Sequence, residues 1–292
     1  FPVMSLGETL IKPTAMLYRN LASMDVEESI RANPVDGVVL MCGCDKTTPS
    51  LVMGASSVDL PTLVISGGPM MKGKFKGKDI GTSDVWRFAE AYKLGELTQK
   101  EFVEAEACMT RTPGHCAVMG TASTMATMVE ALGLSLPQNA AIPAADVRRK
   151  VLAQHSGRRI VEMVREDLTP SKISTPASFR NVIRLLHAIG GSTNALVHIF
   201  ACSGRIGGEI TVDDINSLGR NIPVLADVEP SGKFLIQDFH SAGGLPQLLK
   251  RIEQHMELDA LCATGRAWKE EIAETIISNP AMREVNNPLR ED

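Results

Sequence analysis

Short apolar runs, each bracketed by turn residues and separated by helical periods, constrain this chain most. Val35 to Met41 (VDGVVLM) follows Asn33-Pro34 and is closed by Gly43. A Val-rich run without polar alternation predicts a strand buried on both faces, as in a parallel sheet. Pro61 to Ser66 (PTLVIS) repeats the pattern and runs into Gly67-Gly68-Pro69. Ile222 to Val228 (IPVLADV) is a third such run, closed by Pro230-Ser231-Gly232, and Pro2 to Leu6 is a shorter fourth. Helical periods lie between them, over Thr14 to Ala32, Val147 to Asp167 and Ser178 to Ile189. Thr98 with Glu101 three residues on predicts a capping box for a helix to about Thr110. Ala117 to Leu132, rich in Ala and Met, predicts a helix stopped by Gly133. Strands alternating with helices need crossovers, so the expected fold is α/β, a layered, mostly parallel sheet flanked by helices.

Residues 1–258 are expected to form one α/β domain, and 259–292 its end and a linker, Asn286 to Asp292 (NNPLRED) being linker-like. The chain starts at Phe1 and reads as an excerpt of something longer. Its formal net charge of -4 is spread without a block of one sign, which argues against nucleic acid or a membrane surface as partner. No apolar run approaches the roughly 18–20 residues of a membrane span, and no signal peptide is visible. Six cysteines are too few for a disulfide scaffold, and none forms a CxxC pair. A cytoplasmic, reducing setting is expected. Cys108, Cys202 and Cys262 read as buried apolar residues.

Four stretches carry chemistry. Cys42-Gly43-Cys44-Asp45-Lys46-Thr47-Thr48-Pro49 lies just past the first strand, where open α/β sheets bind ligands. A thiolate suits iron or zinc and a carboxylate suits magnesium. The competing reading is a polar turn with a chance cysteine. Thr112 to Thr124 (TPGHCAVMGTAST) puts Cys116 at the expected start of the Ala117 helix, a position that favours thiolate; His115 beside it reads as structural before ligand. Ser5-Leu6-Gly7-Glu8 offers Glu8 as a hard-metal ligand. Gly190-Gly191-Ser192-Thr193-Asn194 ends one helix, and Ser192 is expected to cap the next. Backbone amides there are candidates for a substrate carboxylate, although capping alone explains most of the motif. His198, one turn further, reads as packed. Gly67-Gly68-Pro69-Met70 lacks the glycine spacing and Lys-Ser/Thr ending of a phosphate loop.

With these blocks in order, the sequence resembles the family of dihydroxy-acid and sugar-acid dehydratases. The resemblance rests on SLGE (Ser5–Glu8), GCDKTTP (Gly43–Pro49), HCAVMGTASTM (His115–Met125), GGSTNA (190–195) and AGGLP (Ala242–Pro246). Tyr18-Arg19-Asn20 and Gly114-His115-Cys116 resemble most the aldonate branch, typified by arabinonate dehydratase. It implies an iron–sulfur cluster, [2Fe–2S] in preference to [4Fe–4S], with Cys44 and Cys116 matching two of three cysteine ligands and the first lying upstream of this chain. It implies Mg²⁺ held by Glu8, Asp45 and Lys46, the lysine carbamylated in some members and so given a catalytic role. It implies substrate contacts at Ser192, Thr193 and Asn194. It implies a further glutamate ligand and a serine base in a C-terminal β-rich domain, expected to lie beyond this chain. Cys42 stands where a small residue is expected and is left out of the ligand set.

The implied activity is dehydration of a sugar acid such as arabinonate to a 2-keto-3-deoxy acid, by a homodimer or homotetramer whose partner is a small molecule. The alternatives are the branched-chain dihydroxy-acid dehydratase or phosphogluconate dehydratase reaction. A distant one is a non-catalytic zinc protein using Cys42, Cys44, His115 and Cys116, which leaves Glu8, Asp45 and Lys46 without a role.

Overall fold

The computed structural model describes residues 14–273 and 282–286. In chain order the elements are α1 (Thr14–Arg31), β1 (Val38–Cys42), α2 (Thr47–Val58), β2 (Thr62–Ser66), β3 (Gly73–Phe75), β4 (Lys78–Ile80), α3 (Val85–Lys93), α4 (Gln99–Met109) and α5 (Thr121–Ala131). They continue with α6 (Val147–Glu166), α7 (Pro170–Ile173), α8 (Pro176–Ala188), α9 (Asn194–Ile206), α10 (Val212–Gly219), β5 (Val224–Ala226), α11 (Ile236–Ser241), α12 (Gly244–Arg251), α13 (Trp268–Glu271) and β6 (Met282–Asn286). The architecture is α/β, as expected, but mostly helical. The expected strand at Pro2 to Leu6 lies outside the described residues.

The first two apolar runs form one β–α–β unit. β1 and β2 pair in parallel, from Val38 opposite Thr62 to Cys42 opposite Ser66, with α2 as the crossover. β2 is buried along its whole length, which is why its sequence shows no polar alternation. The chain after α5 extends this edge through one bond, from the Val64 amide to the Leu134 carbonyl at 2.8 Å.

The parallel sheet is smaller than the apolar runs suggest. Among the described residues β1–β2 is its only parallel pair, while β3–β4 and β5–β6 are antiparallel. The third run shrinks to Val224–Ala226 because the chain turns at Asp227, whose carbonyl accepts from the Lys233 and Phe234 amides. Helices fill the space that more strands would occupy. In α5 every residue from Ala122 to Ala131 is buried, so this helix lies inside the domain rather than covering it. In α8, Pro176 occupies the first turn and Thr175 caps the amide of Ser178. The Thr98–Glu101 capping box opens α4 as expected.

Residues 259–273 pack into the same core. Trp268 is 2% exposed and donates its indole N–H to the Ala131 carbonyl at 3.3 Å, at the end of α5. Trp268→Ala is therefore expected to cost about 3–5 kcal/mol, as large aromatic truncations in cores do. Urea midpoints of wild type and variant check this; a shift worth under about 1 kcal/mol would mean that this segment is not part of the core.

Candidate active site

The Cys44–Pro49 motif forms the turn from the C-terminal end of β1 into α2. The Cys44 amide donates to Thr47 Oγ1 at 3.0 Å, and the Cys44 carbonyl accepts from the Thr48 hydroxyl at 2.9 Å. Pro49 sits in the first helical turn, where its missing N–H costs nothing. This turn buries Asp45 and Lys46 to 5% and 4% exposure. Their side chains form an ion pair at 2.9 Å. The other Asp45 oxygen accepts from the Lys46 amide at 2.9 Å and from the Cys44 thiol at 3.3 Å. Burial lowers the Lys46 ammonium below the ordinary lysine range. A cleft of about 460 Å³ opens at these strand ends, lined by Met41, Gly43, Ser66, Gly67, Arg149 and Lys150 among others.

Cys116 lies in a loop and not at a helix start. The expected helix from Ala117 begins only at Thr121, because the backbone before it is committed to distant partners. The His115 amide bonds the Gly68 carbonyl, Met119 the Glu229 carbonyl, and the Ala117 carbonyl accepts from Ile236. Gly114, at φ +132°, makes this possible: a Cβ there would sit 2.5 Å from the Met70 nitrogen. The helix-start argument for a Cys116 thiolate accordingly fails. Burial, and after it the negative charge of Asp45, raises the Cys116 thiol above its ordinary value. The same effect shows that Asp45, bonded to Cys44, lies within electrostatic reach of Cys116. A bound cation reverses this, since a coordinating thiol is deprotonated outright.

The cysteines separate into two sets. Cys42, Cys202 and Cys262 are buried, with thiols pushed up to about 11 for Cys42, about 12 for Cys202 and further for Cys262. Cys44 and Cys116 are half-buried. Cys44, Asp45 and Cys116 carry donors of the types that iron and magnesium take. Among the described residues no three His, Cys, Asp or Glu side chains are grouped so that they could hold a metal ion. Glu8 lies outside the described residues.

The 190–195 motif docks against the start of α5. Ser192 Oγ lies 2.8 Å from Thr121 Oγ1, the Ser192 amide donates to Thr124 Oγ1 at 3.1 Å, and Asn194 Nδ2 donates to Thr121 Oγ1 at 3.4 Å. Ser192 is not the cap of α9; Thr193 holds that position and makes no side-chain capping bond. The Gly190, Gly191 and Ser192 amides are all bonded within the protein. Thr193 and Asn194 are exposed and Ser192 is half-buried. His115 is 9% exposed and donates from Nδ1 to the adjacent Cys116 carbonyl, 3.0 Å away. His198 is wholly buried, as expected, and burial pulls its imidazole down to about 4.

Sequence reasoning missed a buried polar network beside the strand ends. Glu130, in α5, is fully buried and accepts from the Gln138 and Ala140 amides at 2.6 and 2.8 Å. Burial pushes its carboxyl up to about 7. Arg149, 8% exposed, donates to the Asn139 carbonyl at 2.8 Å and its Oδ1 at 3.1 Å, and Asn139 Oδ1 also accepts from the Ser66 amide at 3.0 Å. The one available signal was a single charge on an otherwise apolar helix.

The family model for the dihydroxy-acid/6-phosphogluconate dehydratase N-terminal domain matches residues 3–271. The L-arabonate dehydratase of Azospirillum brasilense is 52% identical over 100% of this chain and 51% of its own length. The L-arabinonate dehydratase of Rhizobium leguminosarum bv. trifolii is 52% identical over 94% of the chain and 48% of its own length. The dihydroxy-acid dehydratase of Methanothermobacter thermautotrophicus is 38% identical over 94% of the chain and 50% of its own length. The chain thus spans about half the length of these relatives. Among the described residues no helix is long and apolar enough to cross a membrane.

Proposed function

The chain belongs to the dihydroxy-acid/6-phosphogluconate dehydratase family, and from that premise we propose that the whole protein is a hydro-lyase acting on an aldonate. The observation that carries the choice of substrate is the 52% identity to two arabinonate dehydratases, against 38% to a dihydroxy-acid dehydratase. The reaction removes a proton from C2 and hydroxide from C3 of a 2,3-dihydroxy acid. The enol product tautomerises to the 2-keto-3-deoxy acid.

Cys44 and Cys116 are the proposed thiolate ligands of an iron–sulfur cluster, and Asp45, Lys46 and Glu8 the proposed ligands of Mg²⁺. When bound, these groups supply Lewis acidity at the departing hydroxyl and charge stabilisation at the carboxylate and C2 oxygen. The protein's own part is placement. The turn before α2 holds Asp45 and Lys46 out of water as an ion pair, which keeps their oxygen and nitrogen donors fixed until a cation takes them. The lowered Lys46 ammonium gives up its proton more readily than an exposed lysine, as a ligand or a carbamylated side chain must. Thr193 and Asn194, exposed beside Thr121, are with Ser192 the proposed contacts to the hydroxyls or carboxylate of the sugar acid.

The test compares kcat/KM of the full-length protein on L-arabinonate, 6-phosphogluconate and 2,3-dihydroxyisovalerate. L-Arabinonate is expected to exceed dihydroxyisovalerate by about 10³-fold or more, since a site built to bond hydroxyls rejects an analogue lacking them. Preference for dihydroxyisovalerate would assign the protein to the branched-chain reaction instead.

A further inference from the structure

Arg19 and His198 meet inside the protein although 178 positions separate Arg19 from Val197, the neighbour of His198. Arg19, in α1, is 8% exposed, and its Nη1 lies 3.0 Å from His198 Nδ1. The same Nη1 reaches the Val197 carbonyl at 3.5 Å, while Nε and Nη2 bond Asn20 Oδ1 at 3.1 and 2.9 Å. A guanidinium only donates. His198 Nδ1 must therefore accept, and the ring proton resides on Nε2. His198 is 0% exposed, and Nε2 has no hydrogen-bond partner among the described residues.

Two consequences follow from that tautomer. With Nδ1 taken by Arg19 and Nε2 carrying hydrogen, the imidazole offers no lone pair to a metal, so His198 stands outside any ligand set. A buried N–H without an acceptor is also costly and rare in folded proteins, and points to an acceptor brought by something that binds. The location narrows what that is. α9, which carries His198, packs against α2, and α2 begins directly after Asp45 and Lys46. The charges that act on the imidazole are Arg19, Lys46 and Asp45. Asp45 offsets its ion-pair partner Lys46, which leaves the Arg19 cation beside a neutral donor, a setting that suits an anionic or hydroxyl oxygen and repels a cationic ligand.

We propose that His198 donates a hydrogen bond from Nε2 to an oxygen of the sugar acid beside the Asp45–Lys46 pair, and that Arg19 is the positioning residue that fixes its tautomer. This rests on the aldonate reading given above. His198 then adds to the substrate-contacting set of Ser192, Thr193 and Asn194, from the next turn of the same helix.

The test uses the full-length protein and the Asn and Gln variants of His198. Asparagine reproduces the Nδ1 position that accepts from Arg19 but lacks a donor at Nε2; glutamine reaches the Nε2 position with an N–H. His198→Asn is expected to raise KM for L-arabinonate about 10–100-fold, the weight of one hydrogen bond to a charged group, with iron content unchanged. His198→Gln is expected to recover most of that loss. In [¹⁵N]histidine-labelled wild type, the His198 resonances should show Nε2 protonated and Nδ1 bare between pH 6 and 8, and Arg19→Met should mix the two tautomers. A wild-type KM in His198→Asn, equal losses in both variants, or a protonated Nδ1 in wild type would each overturn the proposal. Absence of any aldonate turnover by wild type would instead remove the substrate reading on which it rests, and the tautomer measurement would still decide the role of Arg19.

Discussion

Lys46→Arg in the full-length protein is expected to lower aldonate turnover by at least about 10²-fold. Loss of a residue that merely orients a metal ligand costs about 10–100-fold, and a direct ligand should cost more. The substitution keeps the positive charge, so the ion pair with Asp45, now 2.9 Å long, has a partner in the variant. A guanidinium stays protonated and offers no lone pair to a cation. Lys46 is 4% exposed, so the larger side chain also strains its surroundings, at about 1–3 kcal/mol. Lys46→Met separates the two effects, because it removes charge and ligand with little change of volume. Turnover, magnesium dependence and melting temperature of both variants are the readouts. Lys46→Arg at wild-type turnover would remove Lys46 from the metal site.

The second large effect concerns stability. Glu130→Ala is expected to cost about 3–5 kcal/mol, since it opens a cavity in the core and leaves the Gln138 and Ala140 amides without their acceptor. The pH dependence follows from the raised carboxyl. In the folded chain Glu130 titrates at about 7, against an ordinary value of 4.5. Between those values the unfolded chain has lost the proton that the folded chain keeps, so this group's contribution is full below about pH 4.5 and falls as pH rises to 7. The total fall is about 3 kcal/mol, at roughly 1.4 kcal/mol for each pH unit. Glu130→Gln removes it. Urea midpoints at pH 5 and pH 7.5 should show wild type losing its advantage over Glu130→Gln as pH rises. A constant difference between the two proteins would mean that Glu130 titrates as an ordinary glutamate.

Much of the fold was legible because it is written in local signals. The β1 and β2 runs and the Thr98–Glu101 box depend on residues within a few positions of one another. Residues 117–120 were misread as the start of a helix for the opposite reason. Their composition favours helix, but the Ala117 carbonyl and the Met119 amide pair with Ile236 and Glu229, which no local pattern reveals. The third apolar run carries the same lesson, since turn bonds to Asp227 cut it short. In the site, motif order pointed to Cys44, Asp45, Lys46 and Cys116, which the fold gathers near the end of β1. Arg149 was silent, and the burial of Arg19 and Glu130 was hidden, because a charged residue in a helix reads as solvent-facing until its buried partner is known.

The central claim is that Cys44 and Cys116 bind a cluster while the other cysteines belong to the core. Iron and sulfide per chain in the purified full-length protein, measured for wild type, Cys44→Ser, Cys116→Ser and Cys202→Ser, test it most directly. Wild type and Cys202→Ser should carry the same iron and sulfide and the same visible absorption. The other two variants should lose most of both, because a hard alkoxide replaces thiolate poorly at iron. A wild-type protein without iron, or a Cys116→Ser protein that keeps its cluster while Cys202→Ser loses it, would contradict the account.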